Sequence, residues 1–262
     1  MSTKPNKSTN IYIVFTPYHF LLTLIHSSRT PFDLIIMIDD FGKLPGYKSI
    51  GEKLCPNFFY INMSRGSTKI LARQLRLPIG NRRCLDSFIN RAKSSPVSNV
   101  YTFNDAIPAG QYLIKKLTGK ATYIEDGSAP YNDHLISWSL VHRVKSWLAY
   151  GFGYHFVSVL GTSPLINKSL FLNPHLIRSE NALKPYCRFE VTKNFIEIIK
   201  KVALEFCIFN DDINTRNKNA ALILLPRLTA GRSEFINDIR CIVEMLDELG
   251  WTIFLKSHPL DE

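Results

Sequence analysis

The run Ala121-Thr122-Tyr123-Ile124 ends abruptly in two carboxylates and a glycine, Glu125-Asp126-Gly127, and few arrangements accommodate that junction. A short β-branched and aromatic run reads as a buried strand of a parallel sheet, covered on both faces. Two successive acids cannot continue into such a core. They must stand at the carboxyl end of the strand, where open α/β sheets bind their ligands. A carboxylate delivered there by a rigid strand is placed as a general base must be. The plainer reading is a solvated turn in which Gly127 supplies a positive φ.

The remaining chain repeats the same grammar. Ile11–Phe15 is an apolar strand, and Pro17 suits the first position of a helix capped by Thr16 and running from Phe20 to about His26. The opening βα turn is a candidate ligand edge because helix N-termini attract anions, which makes Thr16 and His19 candidate substrate contacts. Leu34–Ile38 is a second strand, and Asp39-Asp40 after it reads as a turn. Phe58–Ile61 and Val100–Phe103 follow as strands, the latter ending in Asn104-Asp105. Residues 64–93 read as basic and helical, broken in two by Pro78 and Gly80. A helix from Pro108 to Leu117 leads into the strand carrying Glu125. Strands alternating with helical patterns predict an α/β fold with a parallel sheet and helices on its faces.

Ser137–Tyr150 is amphipathic, and its stripe of Trp138, Val141, Val144, Trp147 and Leu148 is expected to face the core. Phe156–Leu160 and Ser169–Leu172 read as short strands, and Thr192–Phe209 as an amphipathic helix. The clearest boundary is the polar run Asn210–Asn219, with Ile213 its one apolar residue. It divides a domain of residues 1–209 from residues 220–262, where strand (Ala220–Leu225), helix (Ser233–Leu249) and strand (Trp251–Lys256) restart. That last strand runs into Lys256-Ser257-His258-Pro259. Two strands and one helix cannot cover both faces of a parallel sheet, so this second domain is expected to be incomplete.

Charge narrows the partners. The 32 Lys and Arg against 22 Asp and Glu give +10, with a sequence pI near 9.4. Such a balance favours an anionic partner: a phosphorylated substrate, an anionic membrane surface or nucleic acid. The basic residues are dispersed in small clusters without a nucleic-acid motif, so nucleic acid is not expected. The five cysteines are scattered, with no metal or redox spacing, as suits a reducing cytoplasm. Lys4 and Lys7 before the apolar Ile11–Ile25 imitate a signal peptide. Pro17 and His19 interrupt that run, however, and no small-residue cleavage site follows His26. No uninterrupted apolar stretch is long enough to span a bilayer.

Glu125-Asp126-Gly127 in the first α/β unit and His258-Pro259 in the second are 133 residues apart (258 − 125). This pairing resembles the bacterial sialyltransferases that build capsules and lipooligosaccharides, polysialyltransferases included. In them an acid-acid-Gly motif and a His-Pro motif recur in this order. The opening Ile11-Tyr12-Ile13-Val14-Phe15-Thr16-Pro17-Tyr18-His19 resembles their first strand and turn, and Leu255-Lys256-Ser257-His258-Pro259 their Lys-x-His-Pro segment. The resemblance implies a GT-B fold, two Rossmann-like domains with parallel sheets. It implies an inverting transferase that moves sialic acid from CMP-sialic acid to a cell-surface glycan or glycolipid acceptor, without cofactor or metal. Catalysis would rest on Glu125 as base, with Asp126 beside it, and on His258 at the donor phosphate. Thr16, His19, Gly127, Lys256 and Pro259 would line the substrate. The family's Ser/Thr pair beyond His-Pro has no counterpart before Glu262. Two other readings stand: a transferase of another nucleotide sugar, such as a hexose, or a basic remnant docked on the anionic inner membrane, its acids purely structural.

Overall fold

The structure, a computed structural model, describes residues 8–27, 33–39, 45–63, 71–127, 131, 136–137, 140–151, 154–177, 179–191, 197–198, 201–202, 220–224, 243–244, 248 and 252–256. The chain divides into two units, Met1–Phe206 and Cys207–Glu262.

In the first unit seven parallel strands form one sheet: β1 (Thr9–Val14), β2 (Leu34–Asp39), β3 (Phe58–Asn62), β4 (Val97–Thr102), β5 (Ala121–Ile124), β6 (Ile166–Phe171) and β7 (Tyr186–Arg188). Their order is β3-β2-β1-β4-β5-β6-β7, that of a Rossmann-type sheet. The helices of this unit include α1 (Pro17–Ser27), α2 (Pro45–Leu54), α3 (Leu71–Ala92), α4 (Pro108–Leu117), α5 (Leu140–Tyr150) and the single turn α6 (Ser179–Ala182). The strands are short apolar runs because both faces are covered. Ile11, Ile13 and Phe15 alternate onto one face with Leu85, Phe88 and Ile89 of α3 and Ala109 and Leu113 of α4. Tyr12 and Val14 turn to the other face, against Phe20, Leu22 and Ile25 of α1 and Ile50 of α2. The chain leaves β1 toward β2 and β3, then returns across to β4. The topological switch point therefore lies between β1 and β4.

In the second unit, β8 (Ala220–Leu224) and β9 (Thr252–Lys256) pair in parallel from Ala220↔Thr252 to Leu224↔Lys256. The expected helices over Thr192–Phe209 and Ser233–Leu249 lie largely outside the described residues, as do the Asn210–Asn219 run, Trp138, His258 and Pro259.

Several sequence expectations are corrected. Helix α1 begins at Pro17 as its first helical position, with the Thr16 hydroxyl accepting the His19 N–H at 3.2 Å as the cap, so the helix body starts one turn before Phe20. Between β2 and β3 stands a helix, α2, hidden by its two glycines. Gly51 is there for close approach: a Cβ on it would lie 2.3 Å from the Phe58 ring. Pro78 and Gly80 do not divide α3, which continues through both for 22 residues. One missing N–H is a local cost, and the buried stripe of Leu85, Phe88, Ile89 and Ala92 anchors the helix beyond it. Asp39 is the buried last residue of β2 rather than a turn, accepting the Tyr60 hydroxyl at 2.5 Å.

Phe156–Leu160 is irregular rather than a strand. The turn that follows it is tied to the buried Asp105, whose carboxylate accepts Gly161 N–H and Ser163 N–H at 2.8 Å each. The expected inward stripe of the helix near 137–150 is also overturned. Val144, Trp147 and Leu148 are solvent-exposed, because α5 packs through Ser146 and Tyr150 instead.

Candidate active site at the carboxyl edge of the sheet

The switch point gathers the loops that follow β1, β4, β5 and β6 at one sheet edge. From the first comes His19, in the first turn of α1. Its ring is 1 % exposed and stacks on Phe103 at 4.7 Å between centroids. The backbone N–H of Phe15 donates to His19 Nδ1 at 3.2 Å. That bond assigns the ring proton to Nε2, which donates to Asp126 Oδ1 at 2.7 Å. From the loop after β4, the Asn104 side-chain amide reaches Asp126 Oδ2 at 3.5 Å. The Asp126 N–H donates in turn to the Tyr123 hydroxyl at 3.1 Å. Both carboxylate oxygens of Asp126 are thus engaged, although its side chain is 27 % exposed.

Glu125 is held differently. Tyr131 donates its hydroxyl to Glu125 Oε2, and the backbone N–H of Leu172, just beyond β6, donates to the same oxygen at 2.6 Å. Among the described residues Oε1 accepts no hydrogen bond. The carboxylate is pinned through one oxygen while the other is uncommitted, as an oriented proton acceptor requires. Burial raises the Glu125 carboxyl above its ordinary range, opposed by the bonds from Tyr131 and Leu172. A raised carboxylate pKa moves toward that of a base working near neutrality. Tyr18 stands over the same acids: its hydroxyl is pushed up to about 12 by desolvation and by the charges of Glu125 and Asp126.

Gly127 has φ +56, a left-handed conformation that turns the chain away after the acid pair. Its position is 4.0 Å from the Tyr18 ring, measured from where a Cβ would stand. Of the residues singled out from sequence, Thr16, His19, Glu125, Asp126 and Gly127 come together at this edge. Thr16 serves as the α1 cap, and both ring nitrogens of His19 are engaged within the protein. Lys256 ends β9 in the second unit, while His258 and Pro259 lie outside the described residues.

Sequence reasoning missed Tyr18, Asn104, Tyr131 and the Leu172 N–H. A polar residue directly after a strand was the available signal for Asn104; Tyr18 and Leu172 depend on strand order, while Tyr131 stands only six residues beyond Glu125 in the chain. Among the described residues, no three His, Cys, Asp or Glu side chains are grouped as metal ligands.

No protein-family model and no curated protein sequence matches the chain. Solved structures do. UDP-N-acetylglucosamine 2-epimerase from Rickettsia bellii aligns with 97% of this chain at TM-score 0.51 and 13% identity. The chain spans 63% of that protein's length. Arabidopsis thaliana UGT89C1, solved with UDP, aligns with 95% of the chain and 66% of its own length, at TM-score 0.40 and 9% identity. The fold is α/β and GT-B-like.

Proposed function

We propose that the chain is part of a nucleotide-sugar-dependent glycosyltransferase and carries its acceptor-activating site. The observation behind this reading is the Glu125 carboxylate at the carboxyl edge of β5, with Oε2 pinned by Tyr131 and Leu172 and Oε1 uncommitted among the described residues. In the proposed reaction an acceptor hydroxyl gives its proton to Glu125 Oε1 as its oxygen bonds to the anomeric carbon of the donor. The bond from that carbon to the nucleotide phosphate breaks with inversion. The motif resemblance assigns the charge that develops on the departing phosphate to His258, within the segment Lys256-Ser257-His258-Pro259. Asp126, held by His19 and Asn104, fixes the loop that positions Glu125 and so acts through it.

CMP-sialic acid is the donor favoured by the paired Glu125-Asp126-Gly127 and His258-Pro259 motifs. Another nucleotide sugar fits the fold at least as well, since the aligned epimerase is named for a UDP-sugar and none of the residues above reads a sugar. A panel of CMP-sialic acid and UDP-hexose donors, offered with glycan acceptors, separates the two by which nucleotide is released. Release of CMP supports sialyl transfer, release of UDP supports hexosyl transfer, and release of neither overturns the transferase reading.

A further inference from the structure

Helix α5 carries its apolar stripe outward. Leu140 is 76 % exposed, Val144 45 %, Trp147 42 % and Leu148 55 %, at spacings i, i+4, i+7 and i+8 that place them along one side of the helix. Its opposite side makes the fold: Ser146 is buried, and Tyr150 packs on Tyr112 of α4 at 5.8 Å. Next to the stripe, the Arg143 guanidinium lies 4.9 Å from the ring centroid of the exposed Phe156.

This crest rises from a basic layer. Helices α3, α4 and α5, on the same side of the sheet, contain five, two and two Lys or Arg respectively against one acid, Asp86. Asp86 is itself taken up by the Tyr112 hydroxyl at 2.5 Å and by Arg82 at 3.9 Å. Arg83, Arg91, Lys115 and Lys116 are exposed. Residues 134–179 contain no acid at all.

An aromatic and aliphatic crest flanked by cations is the composition of a surface that lies in the headgroup region of an anionic bilayer. Trp147 suits that depth, with an apolar ring body and a polar tip. No helix among the described residues is long and apolar enough to cross a membrane, so such contact would be peripheral. A second copy of this chain would bring like charges face to face. A polyanion such as nucleic acid or an acidic glycan would use the cations and leave the aliphatic crest in water.

We propose that the α5 crest, Leu140, Val144, Trp147 and Leu148 with Arg143, docks this protein on anionic phospholipid. The test is flotation of the full chain with phosphatidylcholine vesicles, with and without phosphatidylglycerol. The wild type is expected to float with the anionic vesicles and not with the neutral ones. Leu148→Glu and Val144→Glu are each expected to lower partition roughly tenfold, the worth of one apolar side chain. Arg143→Gln is expected to lower it about fivefold, and Leu183→Glu, an exposed leucine off α5, to leave it unchanged. Circular dichroism verifies that these surface variants remain folded. Wild type that fails to float, equal flotation with neutral vesicles, or a Leu148→Glu variant that floats like wild type overturns the proposal. So does wild type stripped from vesicles by a soluble polyanion while Leu148→Glu behaves identically, which would assign the face to a polyanion. A dimer dissolved by Leu148→Glu, with no vesicle binding, would assign it to a second copy.

Discussion

Replacing Asp126 separates its hydrogen-bonding from its charge. In the wild type the buried His19 donates Nε2–H to Asp126 Oδ1 at 2.7 Å, while Nδ1 is occupied by the Phe15 N–H. Asp126→Ala removes the acceptor and leaves a donor in a ring that is 1 % exposed. An orphaned buried donor costs about 1–3 kcal/mol. Asp126→Asn keeps a carbonyl oxygen in the same place, so the cost falls to the difference between a charged and a neutral acceptor, about 1 kcal/mol. The long contact from Asn104 at 3.5 Å adds little to either case. For a unit of residues 1–206, each kcal/mol moves the melting temperature by about 2–4 °C. The alanine variant is therefore expected to melt roughly 4–8 °C below wild type, and the asparagine variant about half as far below it. Thermal unfolding followed by circular dichroism measures both. Equal melting temperatures for the two variants would refute the claim that His19 depends on an acceptor at position 126.

Gly51→Ala places a Cβ 2.3 Å from the Phe58 ring and is expected to destabilise by about 1–3 kcal/mol, as other overpacked sites do. Gly46→Ala in the same helix meets nothing within 4 Å and should be neutral or stabilising by about 0.5 kcal/mol; denaturant titration of the pair checks the contrast. Tyr131→Phe removes a donor that lowers the Glu125 pKa, leaving the raising effect of burial less opposed. The acid limb of the pH–rate profile for sugar transfer should then move to higher pH, because a base with a higher pKa becomes deprotonated later. A limb that stays in place or moves to lower pH would separate Tyr131 from the working carboxylate.

The strands were readable because burial on both faces writes them as short apolar runs, from Ile11–Phe15 to Ala121–Ile124. Their order was not, since nothing in a strand's own composition names its neighbour. That order decides the site. Asn104 and Asp126 meet because β4 and β5 pair, and Leu172 reaches Glu125 because β6 lies beside β5. Glu125, Asp126, Gly127, Thr16 and His19 were visible as polar residues at strand ends and in a first helical turn. The engagement of His19 with Asp126, 107 residues away, was not. Periodicity identified the stripe of α5 but carries no information on which side meets the sheet. Gly46 and Gly51 hid α2 because helix propensity penalises glycine, whereas tertiary packing against Phe58 requires it at position 51.

The central claim is that the carboxylate at the end of β5 takes the acceptor's proton. Glu125→Gln tests it with little change of shape, since the amide oxygen can still accept from Tyr131 and Leu172. Sugar transfer from the donor that wild type uses should fall by about 10²–10⁴-fold while the melting temperature stays near that of wild type. A folded Glu125→Gln protein that transfers sugar at the wild-type rate would contradict the account.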